Sequence, residues 1–222
     1  MGGLEKQIKS KDYHDYVIKD GKFIGAFEEM YRNIDDPWYH GDATAIQYDL
    51  ALYLIGRFRI CGGGGLVLDI GCGKGAFTAR LKQQMPKAHI LGVDIAPAAI
   101  KKAEQKYGNL GIEFKAIDIQ KEYKNITEKF DLIVMSHLMW YILPNFRAIV
   151  NHLGKEVLKD DGHLLVNQAF YKSEEQKYGK EIISTVEEML SLIRLEVIEM
   201  IEINRLSNHG AIVLFKNRPS KI

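Results

Sequence analysis

The chain has 222 residues, 46% hydrophobic and 27% charged, enough apolar material for a full core and too even a charge for a disordered chain. Its 30 Lys and Arg against 29 Asp and Glu leave a net charge of +1, which argues against the basic excess of a nucleic-acid binder. That length suits one α/β domain spanning 1–222. Cys61 sits beside a run of glycines and Cys72 inside a glycine loop, so neither reads as half of a disulfide framework. Residues 1–11 are polar and mixed in charge, with no apolar targeting segment and no membrane span later, so a cytoplasmic setting is expected. No metal site is expected, and the oligomeric state is left open.

In chain order, Lys22 to Arg32 and Ala43 to Phe58 read as helices separated by Asn33-Ile-Asp-Asp-Pro-Trp38. This Tyr- and Trp-rich arm, 1–61, is expected to cap a sheet edge or close over a pocket as a lid. Gly62 to Gly65 reads as a flexible hinge into a core of 66–216. There, short apolar runs alternate with amphipathic stretches. Strands are expected at 66–70, 89–94, 112–116, 130–135 and 163–167, with helices at 76–84, 97–107, 144–158 and 177–190. Arg194 to Ile203 and Ala211 to Phe215, joined by Ser207-Asn-His-Gly210, read as a closing hairpin. The alternation implies right-handed βαβ units. The expected fold is therefore α/β: a doubly wound, seven-stranded, mostly parallel sheet with a C-terminal antiparallel hairpin and an N-terminal helical arm.

The segment Val67-Leu-Asp-Ile-Gly-Cys-Gly-Lys-Gly-Ala-Phe77 runs a strand into glycines at 71, 73 and 75 and then a helix. Glycines there let backbone approach a ligand and take positive φ. Asp69 stands at the strand's carboxyl end, where open α/β sheets bind ligands. Asp94 ends the next strand, about 20 residues on, placed to accept ribose hydroxyls. A nicotinamide dinucleotide would ask for G-x-G-x-x-G and a bare helix terminus for its pyrophosphate. Here the spacing is G-x-G-x-G with a carboxylate just upstream, which repels a diphosphate and attracts an ammonium or sulfonium. A nucleoside with a positive charge at its far end is the ligand those residues suit, and S-adenosylmethionine fits that description.

Leu-Asp-Ile-Gly-Cys-Gly-Lys-Gly at 68–75 resembles the first motif of the class I S-adenosylmethionine-dependent methyltransferase family, and the resemblance runs from about Leu66 to Phe215. It implies that Gly71 and Gly73 hold the methionine part of the cofactor, Asp94 its ribose and Ile95 its adenine face. It also implies that Asp118, with Ile119 beside it in Lys115-Ala-Ile-Asp-Ile119, meets the adenine amino group, and that Ser136 and His137 line the cofactor and substrate side. The arm segment Phe27-Glu-Glu-Met-Tyr-Arg-Asn-Ile-Asp-Asp-Pro-Trp38, followed by Tyr48, is similar to that of bacterial nodulation N-methyltransferases, so Trp38 and Tyr48 are expected to close over the cofactor. That family often carries an acidic residue where this chain has His137, which is expected to act as base or substrate anchor, with Tyr141 orienting the acceptor. Ser136-His-Leu-Met-Trp-Tyr-Ile142 lacks the Asn/Asp-Pro-Pro-aromatic motif of base and glutamine-amide methylases. The expected activity is methyl transfer to an amine or hydroxyl of a small molecule. A protein or RNA methyltransferase and a catalytically silent binder are the alternatives, and the glycine spacing disfavours an oxidoreductase.

Overall fold

The computed structural model describes residues 10–19, 21–38, 42–171, 178–179, 182–204 and 208–218. Its strands are β1 (Ile18–Lys19), β2 (Lys22–Phe23), β3 (Gly65–Ile70), β4 (Ala88–Asp94), β5 (Ile112–Ala116), β6 (Phe130–Ser136), β7 (Leu158–Tyr171), β8 (Glu196–Asn204) and β9 (Asn208–Lys216). Its α-helices are α1 (His14–Val17), α2 (Phe27–Asn33), α3 (Asp42–Arg57), α4 (Ala76–Gln84), α5 (Pro97–Tyr107), α6 (Ile119–Glu122), α7 (Phe146–His152) and α8 (Val186–Leu192).

The main sheet has seven strands in the order β5-β4-β3-β6-β7-β9-β8. β3 pairs parallel with β4 and β6, β4 with β5, and β6 with β7, while β9 runs antiparallel between β7 and β8. The winding direction reverses between β3 and β6, and that switch point opens a crevice at their carboxyl ends. Leu66 to Leu68 and Leu132 to Met135 are apolar without alternation because both faces are covered. One layer packs Ile133, Phe146, Ile149 and Phe215; the other packs Leu54, Val67, Leu81 and Leu132. A third cluster joins the arm to α5 through Tyr16, Met30, Tyr31 and Ala99.

Several element boundaries differ from the sequence reading. Lys22–Phe23 pairs with Ile18–Lys19 as a small ribbon, and the first arm helix of more than one turn starts only at Phe27, because Gly25 at φ 66° breaks the chain between them. Gly62 to Gly65 is a pinned turn: a Cβ on Gly65 would lie 2.9 Å from the Asp131 carboxylate, which accepts the Leu66 N–H at 2.7 Å. The helix expected at 144–158 begins at Phe146 and widens into a π-turn over Leu153–Val157. β7 runs well past 163–167 because β9 pairs with it from His163 to Tyr171. The helix expected at 177–190 begins at Val186, where Thr185 and Glu188 form a capping box; residues 177, 180 and 181 lie outside the described ones. Residue 207 of the expected hairpin turn also lies outside them. Among the described residues no helix is long and apolar enough to cross a membrane.

Candidate active site

The glycine loop owes its shape to backbone that only glycine adopts freely: Gly71, Gly73 and Gly75 have φ of 78°, 54° and 76°. Four of its N–H groups, those of Gly71, Cys72, Gly73 and Gly75, are consumed internally. Gly71 and Cys72 both donate to the Val93 carbonyl, at 2.8 and 3.0 Å, and Gly75 to that of Cys72 at 2.9 Å. Gly73 donates to Asp94 Oδ2 at 2.9 Å, and the other oxygen, Oδ1, accepts from Ala96 N at 2.9 Å. The loop therefore presents no nest of free donors at Gly71, Cys72, Gly73 or Gly75, the feature a diphosphate would need. Instead it holds a carboxylate in place, with lone pairs left on each oxygen for further donors.

Two buried acids stand behind this loop. Asp69, 2% exposed at the end of β3, accepts from Thr78 Oγ1 of α4 at 2.6 Å. Burial pushes its carboxyl up to about 6, against the Thr78 bond that lowers it and with Asp94 adding to the rise. Asp94, 9% exposed, is likewise pushed by burial to about 6, opposed by the backbone bonds of Ala96 and Gly73. Beside it Ile95 is 42% exposed, an apolar face open to cover by a flat ring.

All twelve residues singled out from the sequence line one cavity of about 300 Å3: Trp38, Tyr48, Asp69, Gly71, Gly73, Asp94, Ile95, Asp118, Ile119, Ser136, His137 and Tyr141. That volume lies at the low end of small-molecule sites. Asp118 reaches it as the cap of α6, its Oδ1 accepting from Gln120 N at 3.1 Å and its Oδ2 paired with Lys121 at 2.8 Å. Tyr48 comes from α3, stacks on Phe77 at 4.3 Å and meets Ser136; burial, then Asp69, raises its phenol above the ordinary value. Ser136 Oγ accepts from Asn167 Nδ2 at 2.9 Å. His137 follows β6 at φ 54°, a conformation unusual for a side-chain-bearing residue, held by its N–H to the Asn167 carbonyl at 2.7 Å. Tyr141 is a packing residue as much as a polar one. Its ring lies 5.4 Å from Trp38 and edge-on to Phe27 at 5.2 Å, and burial holds its phenol far above its usual range.

The sequence reading missed Tyr13, Phe27, Tyr31, Gln47 and Gln168, which also line the cavity. Gln168 follows Asn167 in β7, and its Oε1 accepts from Met139 N at 3.1 Å. Gln47 is a buried amide in an otherwise apolar turn of α3, a signal visible in the sequence and not used. The arm that brings the aromatic rings is clasped to the core by hydrogen bonds and ion pairs at α4 and α5 and the loop before α4. Glu28 Oε2 accepts from Ala98 N at 2.8 Å at the start of α5, Lys102 Nζ donates to the Tyr31 carbonyl at 2.7 Å, and Lys74 Nζ donates to that of Asp35.

Among the described lining residues the ionisable side chains of fixed charge are Asp69, Asp94 and Asp118, and none is a Lys or Arg. A glycine cradle, an acid anchored at the end of the neighbouring strand, an open apolar shelf and a wall of carboxylates together fit S-adenosylmethionine. They define a Rossmann-like nucleoside site of the class I methyltransferase kind. The chain belongs to the methyltransferase-domain family: the family's profile, described as "Methyltransferase domain", matches residues 63–209. Its family and fold are those of the class I S-adenosylmethionine-dependent methyltransferases.

The chain is 33% identical to a malonyl-acyl-carrier-protein O-methyltransferase of Paenibacillus sp. over 140 residues, which cover 54% of this chain and 50% of that protein. It therefore spans about half the length of that relative. Nodulation protein S of Bradyrhizobium diazoefficiens is 31% identical over 131 residues, covering 58% of this chain and 60% of that one. The N-methyltransferase NodS of Bradyrhizobium japonicum WM9, solved with S-adenosyl-L-homocysteine, superposes with a TM-score of 0.64 at 22% identity, covering 82% of this chain and 92% of that chain, and so shares the fold.

Proposed function

We propose that this chain methylates an amine of a small molecule. The observation that carries the reading is the charge of the cavity: its described wall holds three carboxylates, of which Asp118 is paired outside the wall with Lys121, and no Lys or Arg. An acceptor bearing a carboxylate would be repelled there, whereas an amine is drawn in as its ammonium and must be deprotonated before it reacts. When bound, S-adenosylmethionine supplies a sulfonium methyl: the acceptor nitrogen's lone pair forms the C–N bond as the S–C bond breaks, and the nitrogen sheds a proton. The chain's own residues orient the partners and exclude water, an effect able to supply about 7–11 kcal/mol of the barrier. His137 brings an imidazole to the cavity and takes that proton or anchors the acceptor, with Gln168 and Ser136 as neutral hydrogen-bonding groups nearby. Tyr13, Phe27, Trp38 and Tyr141 form the arm-side wall and shield the site. The reading treats 1–222 as one domain, with the arm 1–61 as cover for the core 66–216.

The similarity to an enzyme named as an N-methyltransferase supports the amine, and the similarity to one named as a malonyl carrier-protein O-methyltransferase supplies the second reading, a carboxylate. The test pairs each amine in a small panel, amino sugars included, with the carboxylic acid of the same skeleton, and follows labelled methyl from S-adenosylmethionine by mass spectrometry. Label entering amines supports the proposal. Label entering only the acids overturns it in favour of ester formation.

A further inference from the structure

S-adenosylmethionine carries, besides its sulfonium and ammonium, a carboxylate on its amino-acid end. That anion must find donors in a cavity whose fixed charges, among the described lining residues, are all negative. The glycine loop cannot meet the demand at Gly71, Cys72, Gly73 or Gly75, because their N–H groups already bond to Val93, Asp94 and Cys72. The donors have to be neutral and come from elsewhere.

Tyr31 of α2 meets this description. Its side chain is buried, 3% exposed, and its hydroxyl reaches so close to the loop that a Cβ on Gly73 would lie 2.8 Å from it. The phenol oxygen accepts the Trp38 indole N–H at 2.6 Å, while among the described hydrogen bonds its own proton has no acceptor. An oxygen that accepts one hydrogen bond becomes a better donor through its own O–H. Burial first, and Asp94 second, keep the phenol protonated, so it faces an anion as a donor only.

We infer that Tyr31, backed by Trp38, is the binding residue for the carboxylate of the cofactor's amino-acid end, so that the arm completes the cofactor site as well as covering it. The inference rests on the S-adenosylmethionine assignment and adds to it a residue outside the sheet core. Position 73 then needs glycine for two reasons, its φ of 54° and the space the hydroxyl occupies. Lys102 on the Tyr31 carbonyl and Glu28 on Ala98 N hold α2 in the register that delivers the hydroxyl.

The test is calorimetric and independent of turnover. S-adenosyl-L-homocysteine carries the carboxylate, and decarboxylated S-adenosylmethionine lacks it but keeps the nucleoside and the terminal ammonium. Tyr31→Phe is expected to weaken S-adenosyl-L-homocysteine about tenfold or more, the effect of one hydrogen bond to a charged group, and to leave the decarboxylated ligand within about twofold. Both ligands are titrated into the same variant preparation, so a partial loss of folding cancels in the ratio. Trp38→Phe, which withdraws the indole donor and keeps an aromatic ring in the wall, is expected to show the same selectivity with a smaller loss, and it serves in its place if Tyr31→Phe does not fold. Equal weakening of both ligands, or of neither, overturns the inference. A parent protein that binds neither ligand contradicts the cofactor assignment itself.

Discussion

Replacing Asp94 with Asn separates the folding role of that carboxylate from its ligand role. In the protein each oxygen accepts one backbone N–H, from Gly73 and from Ala96, both at 2.9 Å. Asn retains one oxygen and must turn its amide N–H toward one of those donors, orphaning it at a cost of about 1–3 kcal/mol. The substitution also removes a buried charge. Raising the carboxyl from 3.8 to about 6 means that its ionised form costs the fold about 3 kcal/mol at neutral pH. The two effects oppose each other and are of similar size, so the midpoint of thermal unfolding should move by only a few degrees. The ligand has no such compensation. A ribose hydroxyl bonded to a carboxylate contributes about 1.5–3 kcal/mol, so S-adenosyl-L-homocysteine should bind roughly 10- to 100-fold more weakly. Titration calorimetry and a thermal melt on one preparation check both halves. An affinity within twofold of the parent would place the ribose elsewhere and refute the reasoning.

Asp69 and Asp94 also set a pH dependence. Their folded carboxyls sit near 6, above the ordinary 3.8, so the native state holds more protons than the unfolded state between about pH 4 and 6. Their contribution to stability is full below pH 4 and falls as pH rises through 6, and Asp94→Asn should flatten that slope in unfolding curves taken at pH 4.5, 5.5 and 6.5. Thr78→Val leaves the buried Asp69 carboxylate without its 2.6 Å partner and should destabilise the protein by about 2 kcal/mol in denaturant titrations; an unchanged midpoint contradicts the bond. His137→Ala should lower kcat/KM about tenfold or more with S-adenosyl-L-homocysteine affinity intact, and unchanged turnover would remove the residue from the mechanism. Because position 137 has φ 54°, His137→Gly should be about 1 kcal/mol more stable than His137→Ala.

What could be read in advance was whatever the chain holds close together in sequence. The strand-loop-helix at 65–84 places Asp69 and the three glycines by local geometry, and the parallel crossover then brings Asp94 alongside, so spacing alone located that half of the cavity. β6 and its exit at Ser136 and His137 were legible for the same reason. The arm was not. Its helix α2 was drawn five residues too early, because Lys22 and Phe23 fit a helical pattern that Gly25 and the pairing with Ile18–Lys19 override. Tyr31, Gln47 and Gln168 reach the cavity from α2, α3 and β7, which only tertiary packing brings together. The use of the loop's donors was not legible either: Gly73 lines the cavity, but its N–H anchors Asp94.

A titration of the parent protein with S-adenosyl-L-homocysteine and, separately, with NAD at pH 7.5 examines the nucleoside site itself. A loop whose Gly71, Cys72 and Gly73 N–H groups are spent on Val93 and Asp94, facing three carboxylates, should take the thioether nucleoside and give no heat with the diphosphate. Saturable binding of NAD, with none of S-adenosyl-L-homocysteine, would contradict the electrostatic reading of the cavity.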